Sequence, residues 1–113
     1  MKLNEIVKNL EMQIKTGADH LDVEVARGYC SDMLSDVIAN ANESDIWITM
    51  QIHQNIVAVA VMKSLSGIIL INGREPEEAT IAKATEENVA ILTSDLPAFE
   101  LVGRLYKMGI YGV

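Results

Sequence analysis

Apolar positions near the start of the chain, Leu3, Ile6, Val7, Leu10 and Ile14, recur at spacings of three and four. That spacing predicts one face of an amphipathic helix ending at or before Ile14. Gly17-Ala18-Asp19-His20 then punctuates the chain, and Val23 and Val25 with their alternating partners predict a short strand running toward Tyr29. From Cys30 onward a rhythm sets in: an apolar run ends in small polar residues and a helix follows. Ser31-Asp32 is placed to cap a helix over 33–40, with Leu34, Val37 and Ile38 inward. Ile46-Trp47-Ile48-Thr49 is the next strand, with further strands over 67–72 and 89–93. Glu75-Pro76-Glu77-Glu78 opens a helix reaching about Asn88, proline near its first turn and acids at the positive end of its dipole. Asp95 and Pro97 open a last helix whose buried face is expected to be Phe99, Leu101, Val102, Leu105 and Tyr106.

Segment 55–64 is ambiguous by propensity, since Ile56, Val57, Val59 and Val61 are β-branched. It is read as a helix because parallel neighbours need a crossover of about a dozen residues, which this segment supplies. A helix apolar all round would be buried between the sheet and another surface, such as a second subunit. The fold class is therefore α/β: a mostly parallel sheet of about four or five strands with repeated strand-helix units, in two or three layers. The length suits a single domain over 1–113.

Composition narrows the function. With 50% hydrophobic and 22% charged residues the chain is a folding rather than a disordered sequence. Aromatics are only 4%, so the core must come from Ile, Val, Leu, Ala and Met, with Met12, Met33, Met50, Met62 and Met108 as gap fillers. A net charge of −7 and scattered basic residues set aside nucleic acid and anionic lipid. Cys30 is the only cysteine, which rules out an intramolecular disulfide and any cysteine metal cluster, and suits a reducing, cytoplasmic compartment. Met1-Lys2-Leu3-Asn4-Glu5 does not read as a secretion signal, and the longest apolar run, 56–62, is far short of a membrane span. No cofactor or metal is expected.

In a parallel sheet the strand C-termini share one edge, where loops form the usual ligand crevice. That edge is expected to gather Ser31, Thr49, His53, Gln54, Asn72, Gly73, Arg74, Thr93, Ser94 and Asp95, together with Cys30, Asp32, Gln51 and Asn55. Hydroxyls, amides and helix amino ends suit a small polar or anionic molecule, with Arg74 as the nearby cation. The competing reading is that Ser31, Asn55, Ser94 and Asp95 only cap helices. His53 with Asp95 or Asp32 is a candidate acid-base pair for a hydrolase-type enzyme, although no nucleophile stands at a recognisable spacing. Cys30 precedes a helix whose amino end would lower its pKa, the setting of a redox thiol; a semi-buried structural cysteine is the alternative. Asn72-Gly73-Arg74 predicts a tight turn and not a P-loop, because no Lys-Ser or Lys-Thr follows, and there is no dinucleotide fingerprint.

Several stretches taken together resemble a stand-alone DRTGG domain over nearly the whole chain. They are residues 28–37 (Gly28-Tyr29-Cys30-Ser31-Asp32 onward), Asp45-Ile46-Trp47-Ile48-Thr49, residues 53–60 from His53-Gln54-Asn55, Ile71-Asn72-Gly73-Arg74-Glu75-Pro76 and Ile91-Leu92-Thr93-Ser94-Asp95. That family is similar in fold to the N-terminal domain of HPr kinase/phosphorylase and also occurs beside phosphotransacetylase and CBS domains. The resemblance implies an α/β fold, self-association as a homodimer and a regulatory role of unsettled chemistry, read here as a non-catalytic one. His53-Gln54 stands where the family name has Asp-Arg, and Ile71-Asn72-Gly73 where it has Thr-Gly-Gly, so only the final glycine is kept. The kinase relatives carry their phosphate-binding machinery in another domain, and nothing like it exists here. Three functions follow: a homodimeric regulatory module binding a metabolite or a partner protein, a small His53 hydrolase, and a purely structural dimerisation module whose assembly Val59→Asp would break.

Overall fold

The apolar runs at 46–49, 67–70 and 91–93 become strands, and the segments between them, the apolar run 56–62 included, become helices. In the computed structural model, which describes residues 1–113, α1 spans Leu3–Asn9, β1 Gln13–Thr16 and a single 3-10 turn Ala18–His20. Then follow β2 (Gly28–Cys30), α2 (Leu34–Asn40), β3 (Ile46–Thr49), α3 (Asn55–Lys63), β4 (Gly67–Leu70), α4 (Glu78–Glu87), β5 (Ile91–Thr93) and α5 (Ala98–Met108). The five strands form one sheet in the order β1-β5-β4-β3-β2. β2 to β5 are parallel, with Tyr29 beside Trp47, Trp47 beside Ile68 and Ile68 beside Ile91, whereas β1 runs antiparallel to β5.

This strand order dictates the layers. Successive parallel strands step across the sheet in one direction, so right-handed crossovers place every connecting helix on the same face. Val37 of α2, Ile56, Val57, Val59 and Ala60 of α3 and Ala84 of α4 accordingly pack with Trp47, Ile68, Leu70 and Ile91. Alternate strand residues point the other way. Ile46, Ile48, Ile69 and Leu92, with Ile71 just beyond β4, meet Leu3, Ile6 and Val7 of α1 and Leu101 and Leu105 of α5 on the opposite face. The domain has three layers, and the two end helices form the third.

Several expectations need correction. The helical spacing from Leu3 does not extend to Ile14: Glu11 has φ 51°, which stops α1, and Ile14 is an exposed residue of β1. The strand expected near Val23 begins only at Gly28. Residues 23–25 instead strap the amino terminus, with Leu3 N donating to Val23 O and Val25 N to Met1 O, at 3.0 and 2.8 Å. Segment 55–64 is helical as expected, with Ile56, Val57, Val59 and Ala60 against the sheet and Ala58, Val61 and Met62 facing outward on the side a second surface was expected to cover; because Val59 packs inward, Val59→Asp would disturb the core and is not a clean test of assembly. On α5, Phe99, Val102 and Tyr106 are exposed and only Leu101 and Leu105 are buried. Of the five methionines assigned to the core only Met12 is buried, while Met33, Met50 and Met62 are exposed. The turn after β1 is fixed by Gly17, whose φ is 80° and whose added Cβ would lie 2.7 Å from Ala90 Cα. Only glycine fits there.

Candidate functional site

The carboxyl ends of β2, β3, β4 and β5 share one edge, and antiparallel β1 brings Glu11 and Gln13 to it from the other direction. Asp32 does not cap α2 as expected. Its Oδ1 accepts from Thr49 Oγ1 at 2.8 Å and Met50 N at 2.7 Å, and its carbonyl accepts from Gln51 Nε2 at 2.9 Å, tying the β2 and β3 loops together. Ser31 Oγ accepts from Met33 N at 3.2 Å, and Ser31 O accepts the buried Trp47 Nε1 at 2.8 Å. From the other side, Ile52 O accepts from Thr80 Oγ1 at 2.7 Å and Glu77 N at 3.2 Å. Loop 50–54 is therefore held from both flanks.

The loops after β4 and β5 part company. The chain leaving β4 turns toward α4 on one face and the chain leaving β5 toward α5 on the other, so the topological switch point of the sheet, where α/β folds open a crevice, lies between these two strands. Asn72 and Gly73 have φ 57° and 65° and Arg74 N donates to Ile71 O at 3.0 Å, a turn with both central residues left-handed. Their own N–H groups bridge the gap, Asn72 N to Leu96 O and Gly73 N to Ser94 O, both at 3.0 Å. Beside this bridge is a wholly polar cleft of about 120 Å³ lined by Glu11, Gln13, Gly73, Glu75, Thr93 and Asp95.

The ten expected site residues thus divide. Thr49, Thr93 and Ser94 are buried, and Ser31, Thr49 and Ser94 engage the protein's own groups, Ser94 Oγ accepting from Leu96 N at 3.1 Å. Gly73, Thr93 and Asp95 come together in the cleft. His53, Gln54, Asn72 and Arg74 are exposed; Asn72 Nδ2 reaches only the weak acceptor Met50 Sδ, at 3.1 Å, and Arg74 makes no ion pair. Arg74 is not the only cation, because Lys15 pairs with Glu75 at 2.8 Å. The backbone N–H groups of Ile52, His53, Gln54 and Asn55 donate to no acceptor of the protein, leaving the amino end of α3 open.

The acid-base pairing of a hydrolase is not assembled. His53 lies against Glu77, Nε2 to Oε1 3.8 Å, and Asp32 is engaged by Thr49 and Met50. Cys30 is exposed, and partial burial, followed by the nearby Asp32 carboxylate, pushes its thiol pKa up rather than down. Next to it Tyr29 Oη donates to the Asp36 carboxylate, 2.9 Å to either oxygen, and Asn40 Nδ2 donates to Asp36 Oδ1 at 2.9 Å. The Ser31 hydroxyl, then Tyr29, hold Asp36 below the usual carboxylate range, and the Tyr29 phenol is raised by its bond to Asp36.

Glu11, Gln13 and Glu75 are the site residues that sequence reasoning missed. Ile14 continues the spacing of α1 and hid β1, while the positive φ forced on Glu11 leaves no residue-type signal. Glu11, Glu75 and Asp95 do not converge as a metal-ion cluster. The largest cavity, about 720 Å³, is an open groove between α1 and α5, and it holds none of the strand-end groups. The strand-end cleft is smaller but gathers the polar chemistry.

Fold and site together define a three-layer α/β domain with a polar strand-end edge and a switch point between β4 and β5. A solved structure of the same fold is that of the CBS and DRTGG domains of the regulatory region of Clostridium perfringens pyrophosphatase, complexed with its activator diadenosine tetraphosphate. The TM-score is 0.74 at 19% identity, over 90% of this chain and 44% of that one, so the chain spans less than half of that structure. At this identity the likeness is one of fold. Comparison with family models gives no match, and comparison with curated proteins gives none. No helix is long and apolar enough to cross a membrane.

Proposed function

We propose that the chain is a DRTGG-like, non-catalytic regulatory domain that binds a small polar or anionic metabolite at the carboxyl ends of its parallel strands. The observation that carries the reading is the divergence of the β4 and β5 loops. It places the exposed Asn72 and Arg74 and the polar cleft of Gly73, Thr93 and Asp95 at the switch point of the sheet. The open amino end of α3, beside His53 and Gln54, adds free N–H donors of the kind an anionic group needs. Two independent lines support a regulatory role: the motifs that resemble the DRTGG family, and the fold shared with a pyrophosphatase regulatory region that binds a nucleotide activator. The similarity to the N-terminal domain of HPr kinase/phosphorylase rests on those motifs alone.

A thermal-denaturation screen tests this with diadenosine tetraphosphate, adenosine mono- and triphosphate, inorganic phosphate and adenosine, each with and without Mg²⁺. A ligand at a hundred times its Kd adds about 2.7 kcal/mol of stability. At about 4 °C per kcal/mol for a chain of this size, the melting temperature should rise by about 10 °C. The rise should be lost in Asn72→Ala and Arg74→Ala, whose side chains make no strong internal contact. No rise with any of these compounds, or the same rise in both variants, would refute a strand-end site for nucleotides and phosphates.

A further inference from the structure

The strand-end cleft concentrates negative charge. Of its three carboxylates only Glu75 has a cation beside it, the Lys15 ammonium at 2.8 Å, while Glu11 and Asp95 form no ion pair and accept no hydrogen bond from the protein. Arg74, which follows Gly73, does not line the cleft. Thr93 stands open in a different way. It is only 6% exposed, yet its Oγ1 neither donates to nor accepts from any protein group. Asp45 Oδ1 is the one unpartnered side-chain oxygen sealed from solvent in the chain, so the Thr93 hydroxyl opens on the cleft that it lines. A hydroxyl buried to this extent without a partner costs stability unless an incoming group bonds to it. Gly73 completes the wall. Its φ is 65° and a Cβ there would lie 3.3 Å from Asp95 Oδ1, so the bare backbone leaves that carboxylate its place at the cleft.

Charge, geometry and size select what such a cleft takes. A cleft lined by one sign of charge repels an anion and gathers cations. A divalent metal needs several oxygens converging on one point at about 2.0–2.6 Å, and these acids do not converge in that way. A primary ammonium is less demanding: it donates hydrogen bonds of about 2.7–2.9 Å in three separate directions, so acceptors set further apart serve it. The Glu11 and Asp95 carboxylates and the Thr93 hydroxyl are such acceptors, with the Gln13 amide oxygen beside them. A volume of about 120 Å³ with no hydrophobic lining suits the ammonium and the first carbons attached to it, and leaves an apolar body outside.

We propose that the cleft binds the primary ammonium group of a small metabolite, with Glu11 and Asp95 accepting two of its N–H bonds and the Thr93 hydroxyl the third. This rests on the strand-end reading of the function and narrows it: the metabolite is an amine, and any phosphate or carboxylate it also carries is left to the open amides of residues 52–55. NMR titration of the labelled protein at constant ionic strength tests it, with ethanolamine, phosphoethanolamine, choline and ethylene glycol as probes. Ethanolamine and phosphoethanolamine should shift the amides of Gly73, Thr93 and Asp95 saturably, with a Kd of about millimolar for so few atoms. Choline has the charge without N–H donors and should bind about tenfold more weakly, and ethylene glycol should shift nothing. Glu11→Gln and Asp95→Asn should each raise the ethanolamine Kd about tenfold, and Thr93→Val about fivefold. Because the three groups have no partner within the protein, none of these substitutions should lower the melting temperature of the free chain. No saturable shift up to about 50 mM ethanolamine, choline binding equal to it, a Kd unchanged in Asp95→Asn, or a melting temperature lowered by all three substitutions would overturn the proposal. Binding of phosphates or nucleotides without any response to ethanolamine would reject the ammonium cleft and leave the strand-end site standing. Ethanolamine binding that Asp95→Asn abolishes, with none of phosphates or nucleotides, would support the cleft and refute the anion site.

Discussion

Asp32 is the residue through which the β2 loop fixes the β3 loop, and its removal has a size that the structure sets. Its Oδ1 receives two hydrogen bonds, from Thr49 Oγ1 and Met50 N, at 2.8 and 2.7 Å. Bonds to a charged acceptor contribute about 1.5–3 kcal/mol each when sheltered. In Asp32→Ala, Met50 N lies near enough to the surface to take up water, whereas the buried Thr49 hydroxyl does not, so the lower end applies and the total loss is about 2 kcal/mol. Asp32→Asn keeps one acceptor oxygen and should lose about half as much, roughly 1 kcal/mol. Equilibrium urea denaturation measures both; at about 4 °C per kcal/mol the Ala variant should melt about 8 °C lower. Hydrogen exchange of the Met50 amide provides the local readout, because it should lose protection before the sheet does. A loss under about 0.5 kcal/mol in both variants, with Met50 exchange unchanged, would refute the idea that this carboxylate holds loop 50–54.

Other consequences are equally specific. Thr16 Oγ1 donates to Val89 O at 2.7 Å and accepts from Ile91 N at 3.0 Å, so the isosteric Thr16→Val should cost about 2–3 kcal/mol in denaturant titration by orphaning two backbone groups, where a neutral result would argue for water replacing the hydroxyl. The Cys30 pKa is raised, so its alkylation by iodoacetamide at neutral pH should be slower than that of a free model thiol; Asp32→Asn should speed it, and equal rates in parent and variant would remove the carboxylate as a cause. Asp36 is depressed in the folded state, so its stabilisation is present above the unfolded value of about 3.9 and is lost as pH falls through the lower folded pKa. The stability gap between the parent and Asp36→Asn should therefore close in acid, and a gap constant from neutral pH downward would count against it.

Strands β3, β4 and β5 and the helices between them were legible because each apolar run is buried on both faces, so hydrophobicity and position agree. α3 shows the limit of propensity: β-branched residues form a helix because the β3–β4 crossover demands one. β1 was hidden by Ile14, whose spacing continues a helix that Glu11 ends. The outward stripe of α5 was misread for a related reason, since periodicity finds apolar faces but does not say what covers them. Phe99, Val102 and Tyr106 fit a helical face as well as Leu101 and Leu105 do. At the site, the strand-end loops were placed at one edge by topology alone, yet pairing within them depended on hydrogen bonds that sequence does not specify. Asp32 bonding across to Met50 rather than capping α2 is the clearest case.

Those hydrogen bonds bear on what the edge can recognise. Glycine-rich turns bind phosphate through free amides. At the Asn72-Gly73 turn both amides are engaged by Leu96 and Ser94 carbonyls, and the adjoining cleft presents Glu11, Glu75 and Asp95. A phosphate group therefore finds free N–H donors at residues 52–55 and not at the turn, while a sugar or base edge finds acceptors in the cleft. Asn72 touches Met50, at the root of the loop that carries the open amides, and its backbone helps close the gap between β4 and β5. Its side chain thus reaches the loop half of the edge, while its backbone belongs to the turn whose Gly73 lines the cleft. Loss of binding in Asn72→Ala for adenosine and inorganic phosphate alike would mean that the two halves act as one site, whereas loss for only one of them would assign that ligand's half and leave the other as an independent surface.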